Sequence, residues 1–215
     1  MKTFSDLKGP VTGDIQNQLT QQEALSWLEE GHARFQSQSP RSRNHGQLLE
    51  GASKGQFPYA AVLGCIDSRA PIEHIFDAKI GDLFVARVAG NVVNGDVLGS
   101  LEYACKYAGT KVILILGHTS CGAVGAAWQG VEDGNITGLL AKIQPAVDKT
   151  KAQHGEEGTP EVLNACVAQN VVQMCDEVRA KSSILAEMEA KGEIILAGGV
   201  YNVSTGKVSF TGQSA

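Results

Sequence analysis

The sequence predicts an α/β fold: a mostly parallel β-sheet with an antiparallel edge strand, flanked by helices and preceded by an N-terminal helical arm. Two continuous apolar runs, which end at residues 64 and 117, are typical of strands buried on both faces. Amphipathic helical patterns alternate with the strand patterns, as they do in parallel sheets. A turn at residues 205–206 closes a final hairpin, which supplies the antiparallel edge.

The N-terminal part of the chain is predicted to be an arm. Residues 1–20 are polar and carry glycine and proline, which indicates an irregular segment. Residues 21–35 place four apolar side chains near one helical face, namely Ala24, Leu25, Leu28 and Phe35. Residues 37–54 indicate a loop with weak helical potential, and we expect Arg41 and Arg43 in it to be solvated.

The remaining elements follow from apolar runs and helical stripes. Strands are predicted at residues 59–64, 82–88, 111–116, 193–200 and 207–210. Helices are predicted at residues 71–76, 95–108, 121–128, 136–150, 160–179 and 184–190. The 215 residues suit one domain, which we divide into the arm, 1–55, and an α/β core, 56–215.

Composition excludes several classes of protein. A net charge of −5 leaves no electrostatic footprint for nucleic acid or for an anionic membrane surface. No apolar run approaches the roughly 18 residues that cross a bilayer, and no signal-peptide core is visible. Five cysteines, an odd number without dense spacing, indicate thiols in a reducing compartment. We expect a cytoplasmic protein, although a mature chain whose signal had been removed would show the same pattern.

Two short motifs carry the predicted chemistry. Cys65, with Asp67 and Arg69 shortly after it, follows the first apolar run, and His118 with Cys121 follows the second. Ligands bind beyond the carboxyl ends of parallel strands, so both motifs fall where a site is expected. Two thiolates, one imidazole and an open fourth position are typical of catalytic zinc. Asp67 is predicted to orient a zinc-bound hydroxide, and Arg69 to hold Asp67 ionised through two hydrogen bonds.

Cys-x-Asp-x-Arg followed some fifty residues later by His-x-x-Cys resembles the β-class carbonic anhydrases over nearly the whole chain. The resemblance implies reversible hydration of carbon dioxide to bicarbonate and a proton through a zinc-bound hydroxide. It implies one Zn²⁺ per subunit, held by Cys65, His118 and Cys121. It also implies a homodimer or higher even oligomer, in which the N-terminal helices pack onto the other subunit.

The same resemblance implies a set of substrate-binding residues: Gln56, which reaches the substrate from across the dimer interface, Phe84, Tyr103 and Gly122. For Phe84, strand core is an equally good interpretation. Val62 stands where a bicarbonate-inhibited subgroup of the family carries tryptophan. We therefore expect Asp67 to remain on Arg69 instead of moving onto zinc.

Two alternative functions stay open at this stage. One is a hydrolase of the same fold that acts on CS2 or COS, which are isosteric with CO2. The other is a non-catalytic zinc-binding or bicarbonate-binding module, against which the Asp67–Arg69 pair argues, since a structural zinc normally has four protein ligands. The other three cysteines lie on helical stripes and are predicted to be small buried hydrophobes: Cys105, Cys166 and Cys175.

Overall fold

The computed structural model describes residues 7 and 9–211 and contains a five-stranded sheet in the order β2-β1-β3-β4-β5. The strands are β1 (Ala60–Gly64), β2 (Leu83–Arg87), β3 (Val112–His118), β4 (Ile195–Tyr201) and β5 (Val208–Thr211). β1 pairs in parallel with β2 and β3, and β3 with β4, whereas β5 runs antiparallel to β4. The predicted fold class is confirmed.

Ten α-helices surround the sheet in the described part of the chain. They are α1 (Gly13–Gln18), α2 (Gln21–Gln36), α3 (His45–Ala52), α4 (Ile72–Ile75), α5 (Gly95–Glu102), α6 (Gly122–Trp128), α7 (Gly134–Leu140), α8 (Gln144–His154), α9 (Pro160–Lys181) and α10 (Ser183–Ala190). None of the helices among residues 7 and 9–211 combines the length and the apolarity that a bilayer crossing demands.

The prediction of one helix at residues 136–150 is wrong, because the chain forms two helices there. α7 ends at Leu140, and α8 begins at Gln144 with a proline in its first turn. Proline has no N–H to bond to the preceding turn, but its fixed φ suits the start of a helix. The helix predicted at residues 95–108 is also subdivided, since α5 passes into a π-helical turn, Tyr103–Tyr107.

Helix α1 replaces part of the irregular segment predicted at residues 1–20. The Thr12 hydroxyl caps it by accepting a hydrogen bond from the backbone N–H of Ile15. Gln16 is buried, and its side-chain amide donates to the carbonyls of Pro58 and Ala108, both at 2.8 Å. A buried polar side chain with two carbonyl partners therefore attaches this helix to the core.

The sheet has an apolar core on each face, as expected for strands with continuous apolar runs. On one face, α5, α6, α8, α9 and α10 pack against the alternate residues Ala61, Leu63, Ile113 and Ile115. On the other face, α2 and α4 pack against Ala60, Val62, Val112 and Leu114. α2 thus buries its apolar face on the sheet of its own chain.

Helix α2 approaches α4 so closely that only glycine fits at the contact. A Cβ atom added to Gly31 would lie 1.9 Å from the carbonyl oxygen of Phe76. We expect Gly31→Ala to lower the free energy of unfolding by roughly 3 kcal/mol, because backbone cannot yield as a flexible side chain can. Chemical denaturation measures this effect. Gly138→Ala is the control, since a Cβ there meets no atom within 4 Å; equal stability of the two variants would contradict the packing.

Arg41 and Arg43 are not solvated, because both converge with Arg34 on Asp77. Asp77 is 2% exposed and accepts hydrogen bonds from Arg34 Nε and Arg43 Nη2, both at 2.6 Å, and from the Arg41 backbone N–H at 3.2 Å. Burial alone would raise the pKa of Asp77, but the hydrogen bonds from Arg34 and Arg43 lower it. This cluster ties the segment after α2 to the segment after α4.

His32 on α2 is buried as a neutral imidazole. Its Nδ1 lies 3.2 Å from the Ile75 carbonyl oxygen, to which it donates, and its Nε2 accepts the Val208 backbone N–H at 2.9 Å. A protonated ring could not accept from Val208, and burial lowers the pKa of His32 from its usual 6.5. The folded protein therefore resists protonation that the unfolded chain accepts.

We expect this contribution of His32 to stability to be complete above about pH 6.5 and to fall as the pH decreases below that value, by at most about 1.4 kcal/mol per pH unit. Urea denaturation between pH 7.5 and 5.5 measures it. His32→Gln keeps an acceptor but does not titrate, so its unfolding free energy should change less over this range. Identical pH dependence in the two proteins would contradict the prediction.

Candidate metal centre

The ends of β1 and β3 bring the two sequence motifs together. Gly64 of β1 is in register with Leu116 of β3, so Cys65 and His118 lie at the same edge of the sheet. Cys121 is the residue that precedes the first turn of α6. The two cysteine sulfurs and a ring nitrogen of His118 all lie within 4.8 Å of one another, and all three residues are buried.

His118 presents one nitrogen to this cluster. Its Nδ1 lies 2.9 Å from the Thr119 carbonyl oxygen and donates to it, which leaves the lone pair on Nε2. Nε2 is buried and has no hydrogen-bond partner among residues 7 and 9–211. A buried acceptor without a donor is costly, and a metal ion would satisfy it. Two sulfurs and one imidazole nitrogen fit Zn²⁺ better than they fit Mg²⁺ or Ca²⁺.

The two neighbouring thiols of the cluster shift each other's pKa in opposite directions. A hydrogen bond from Cys121 lowers the pKa of Cys65 to about 4, against the opposing effect of burial. The same interaction, together with burial, raises the pKa of Cys121. Thiolates are the ligand form of cysteine, so a divalent cation bound here would compete with the proton on Cys121 and release it.

Asp67 is held beside the cluster by Arg69, as the sequence predicts. Arg69 donates to Asp67 Oδ1 from its backbone N–H at 2.8 Å and from Nε at 3.0 Å, and to Oδ2 from Nη2 at 2.7 Å. These bonds hold the pKa of Asp67 well below its usual range. Asp67 Oδ2 lies 3.8 Å from His118 Nε2. An ionised carboxylate is therefore fixed at the metal-ligating atoms.

The side chain of Arg87, at the end of β2, holds the backbone of the first motif. Its Nε donates to the Cys65 carbonyl at 2.8 Å, and its Nη2 donates to the Asp67 carbonyl at 2.5 Å. Two bonds from one planar guanidinium restrict both the position and the tilt of the loop.

The predicted substrate-binding residues are not all at the cluster within one chain. Phe84 and Tyr103 line an open cleft of about 770 Å³ between β2 and α5, and none of the three metal-ligating residues lines it. Tyr103 is 55% exposed and stacks on Tyr107. Gln56 is exposed and precedes the amino end of β1, whereas Cys65 follows its carboxyl end. A five-residue strand, about 16 Å long, separates the two.

Gly122 begins α6 immediately after Cys121. A Cβ atom added there would meet no atom within 4 Å. Packing within the chain therefore does not require glycine at this position, and open space remains beside the metal-ligating sulfur.

Two residues that bond to the metal-site loops were missed at the sequence level. Asn164 and Asn170 of α9 form hydrogen bonds with Ser120 and with Gly90, respectively. The sequence alone could have singled out Asn170, because it falls within the apolar stripe of its helix, where an unpartnered amide would be unfavourable. It could not have singled out Asn164, which lies at the margin of that stripe.

Comparisons with known proteins agree with this geometry. A family model described as carbonic anhydrase matches residues 60–208. Carbonic anhydrase 2 of Mycobacterium tuberculosis is 34% identical over 186 residues, which cover 84% of this chain and 87% of that protein.

Two solved structures have the same fold. The β-carbonic anhydrase CafA of Aspergillus fumigatus has a TM-score of 0.72 at 25% identity, covering 90% of this chain and 91% of that one. A tetrameric β-carbonic anhydrase from Sordaria macrospora has a TM-score of 0.72 at 22% identity, covering 89% and 96%, and at that identity it shows the fold alone. Because the family model covers most of the chain and a relative exceeds 30% identity over most of its length, this chain belongs to the carbonic anhydrase family of enzymes, in its β class.

Proposed function

We propose that this protein is a zinc enzyme that catalyses the reversible hydration of carbon dioxide to bicarbonate and a proton. The observation that carries the proposal is the buried cluster of Cys65, His118 and Cys121 with the ionised Asp67 beside it. One zinc ion per chain would be held by these three residues. Bound there, zinc would lower the pKa of a water from about 15.7 towards about 7 and so supply a nucleophile near neutral pH.

Asp67 is proposed to orient the attacking water. A carboxylate oxygen accepts a hydrogen bond from that water and thereby directs an oxygen lone pair towards the CO2 carbon. Because Arg69 holds the pKa of Asp67 so low, Asp67 is an acceptor and does not keep the proton at neutral pH. The proton must therefore pass on to buffer. Arg69 donates hydrogen bonds to Asp67 and to the Ser120 carbonyl, and these bonds fix the direction of the carboxylate.

We further propose that the chain forms at least a homodimer. Gln56 lies at the opposite end of β1 from Cys65, so its contribution to substrate binding requires a second copy of the chain. Tyr103 and Tyr107 are exposed at 55% and 75%, beside a cleft that also borders the edge strand β2. With the second copy in place, Gln56, Phe84, Tyr103 and Gly122 would form the substrate pocket.

We also propose that the chain divides into an arm, 1–55, and a core, 56–215, and that the protein is cytoplasmic. The location is supported by five cysteines that are buried and form no disulfide.

Stopped-flow measurement of CO2 hydration on protein with quantified zinc tests the function. At about pH 8.5, where activation of water is complete, we expect hydration far above the buffer rate. Zinc-loaded protein that is no faster than buffer would refute the proposal. Hydrolysis of CS2 or COS by that same preparation would then identify the isosteric substrate, and inactivity on all three would indicate a binding module.

A further inference from the structure

Helix α9 packs against β3 immediately before the metal-ligating residues. A Cβ atom added to Gly117 would lie 2.7 Å from Val171 Cγ2 and 3.0 Å from Val167 Cγ1. The helix therefore approaches the strand as closely as a glycine allows, one residue before His118. Its 22 residues reach the loop that carries Cys121 and the turn at Gly90, whose N–H faces Cys65. A long helix that packs this tightly is rigid, so contacts with it hold those loops in fixed positions.

Asn164 of α9 holds the loop that follows β3. Its Oδ1 accepts the Ser120 backbone N–H at 3.0 Å. Ser120 has a φ of 55°, a conformation that a residue with a side chain adopts only when its surroundings stabilise it. The Ser120 carbonyl in turn accepts Arg69 Nη2 at 3.1 Å. Ser120 therefore links Asn164, through its N–H, to the guanidinium that orients Asp67, through its carbonyl, and Cys121 is the next residue.

Asn170 of the same helix holds the loop against which Cys65 lies. Asn170 is 1% exposed, and its Nδ2 donates to the Gly90 carbonyl at 2.9 Å. The Gly90 N–H lies 3.4 Å from Cys65 Sγ and donates to it. One turn further along α9, Met174 Sδ accepts the Val93 N–H at 3.2 Å. The helix thus fixes the backbone donor that faces the first metal-ligating sulfur.

We propose that Asn164 and Asn170 are positioning residues for the metal centre, each fixing the loop around one cysteine from a single rigid helix. The inference rests on the proposed function, in that Cys65, His118 and Cys121 hold zinc. If so, α9 sets the distance between the two cysteine sulfurs, although it contributes no metal ligand. It does so through the side-chain oxygen of Asn164, an acceptor, and the side-chain NH2 of Asn170, a donor.

Two substitutions of Asn164 test whether its side-chain oxygen acts as the acceptor. Asn164→Ala removes Oδ1, and we expect zinc to leave this variant about tenfold faster in the presence of an excess of a chromophoric chelator. Asn164→Asp keeps an oxygen in place, so its zinc release should match that of the wild type. Cobalt-substituted protein gives an independent readout, since its visible absorption bands report the ligand geometry and should shift only in the alanine variant.

The donor role of Asn170 is tested with Asn170→Ala, which should also release zinc faster and alter the cobalt bands. Gln169→Ala, on the neighbouring and partly exposed position of α9, is the control and should behave as the wild type. Circular dichroism at the assay temperature confirms that each variant is folded. If Asn170→Ala does not fold, Asn170→Leu, which is close to asparagine in size and also lacks the donor, takes its place, and wild-type zinc release in that variant would overturn the role of Asn170.

Wild-type zinc release and cobalt spectra in Asn164→Ala would overturn the inference. Equal impairment of Asn164→Asp and Asn164→Ala would also overturn it, because the acceptor would then not be the reason. If the wild-type protein itself retained no zinc, the proposed function would fail, and this inference with it. Metal release is measured without CO2, so failure of the hydration assay alone would leave it standing.

Discussion

Replacing Cys121 with alanine is expected to abolish stoichiometric zinc binding and, with it, CO2 hydration above the buffer rate. Cys121 supplies one of three proposed ligand atoms in a buried cluster. Loss of a direct ligand should weaken zinc binding by more than the roughly 100-fold that loss of an outer partner can cost. Zinc content after dialysis against a chelator and stopped-flow hydration measure the two effects.

Cys166→Ala is the matched control for this experiment. Cys166 is as deeply buried, on α9, but lies outside the metal-ligating group among the described residues. The control should keep its zinc and lose only packing free energy. A Cys121→Ala protein that retained one zinc per chain would show that the metal is held elsewhere.

Replacing Asp67 with asparagine is expected to lower the turnover of CO2 roughly 100-fold while zinc remains bound. The substitution keeps the shape of the side chain but removes the charge that pairs with Arg69. An amide can also turn its NH2 group towards the water, which would then lose its acceptor. Zinc analysis alongside stopped-flow kinetics separates this loss from loss of the metal.

Ser68→Ala is the control for the Asp67 substitution, because Ser68 is exposed and lies between Asp67 and Arg69. It should change turnover little. An Asp67→Asn protein with wild-type turnover would remove Asp67 from the mechanism. One that lost its zinc would instead assign Asp67 to metal retention.

Sequence patterns predicted most of the sheet and the proximity of Cys65, His118 and Cys121. Strands β1 and β3 begin within one residue of their predicted starts, because apolar runs buried on both faces are bounded sharply by polar motifs. The order of strands along the sheet places the residues after β1 and after β3 side by side. The grouping of Cys65, His118 and Cys121 follows from that adjacency alone.

Contacts between distant polar residues could not be predicted in this way. The convergence of Arg41 and Arg43 on Asp77 joins segments 34 and more residues apart, and each charge by itself is typical of a solvated surface. Periodicity identified the buried face of α9 but not the carbonyl that Asn170 meets there. The residues proposed for the substrate pocket do not come together within one chain, so adjacency of strands could not group them.

The hydrogen bond from Val208 to His32 bears on the order in which a growing chain can fold. These residues are 176 positions apart, so α2 leaves the ribosome long before the strand that completes its contacts has been made. Contacts of such separation are slow to close. Both metal motifs, at residues 65–69 and 118–121, are synthesised in between. A nascent chain can therefore bring together the residues that we propose to bind zinc while the α2 face of the sheet is still incomplete, and early metal capture would then favour the native register of β1 and β3.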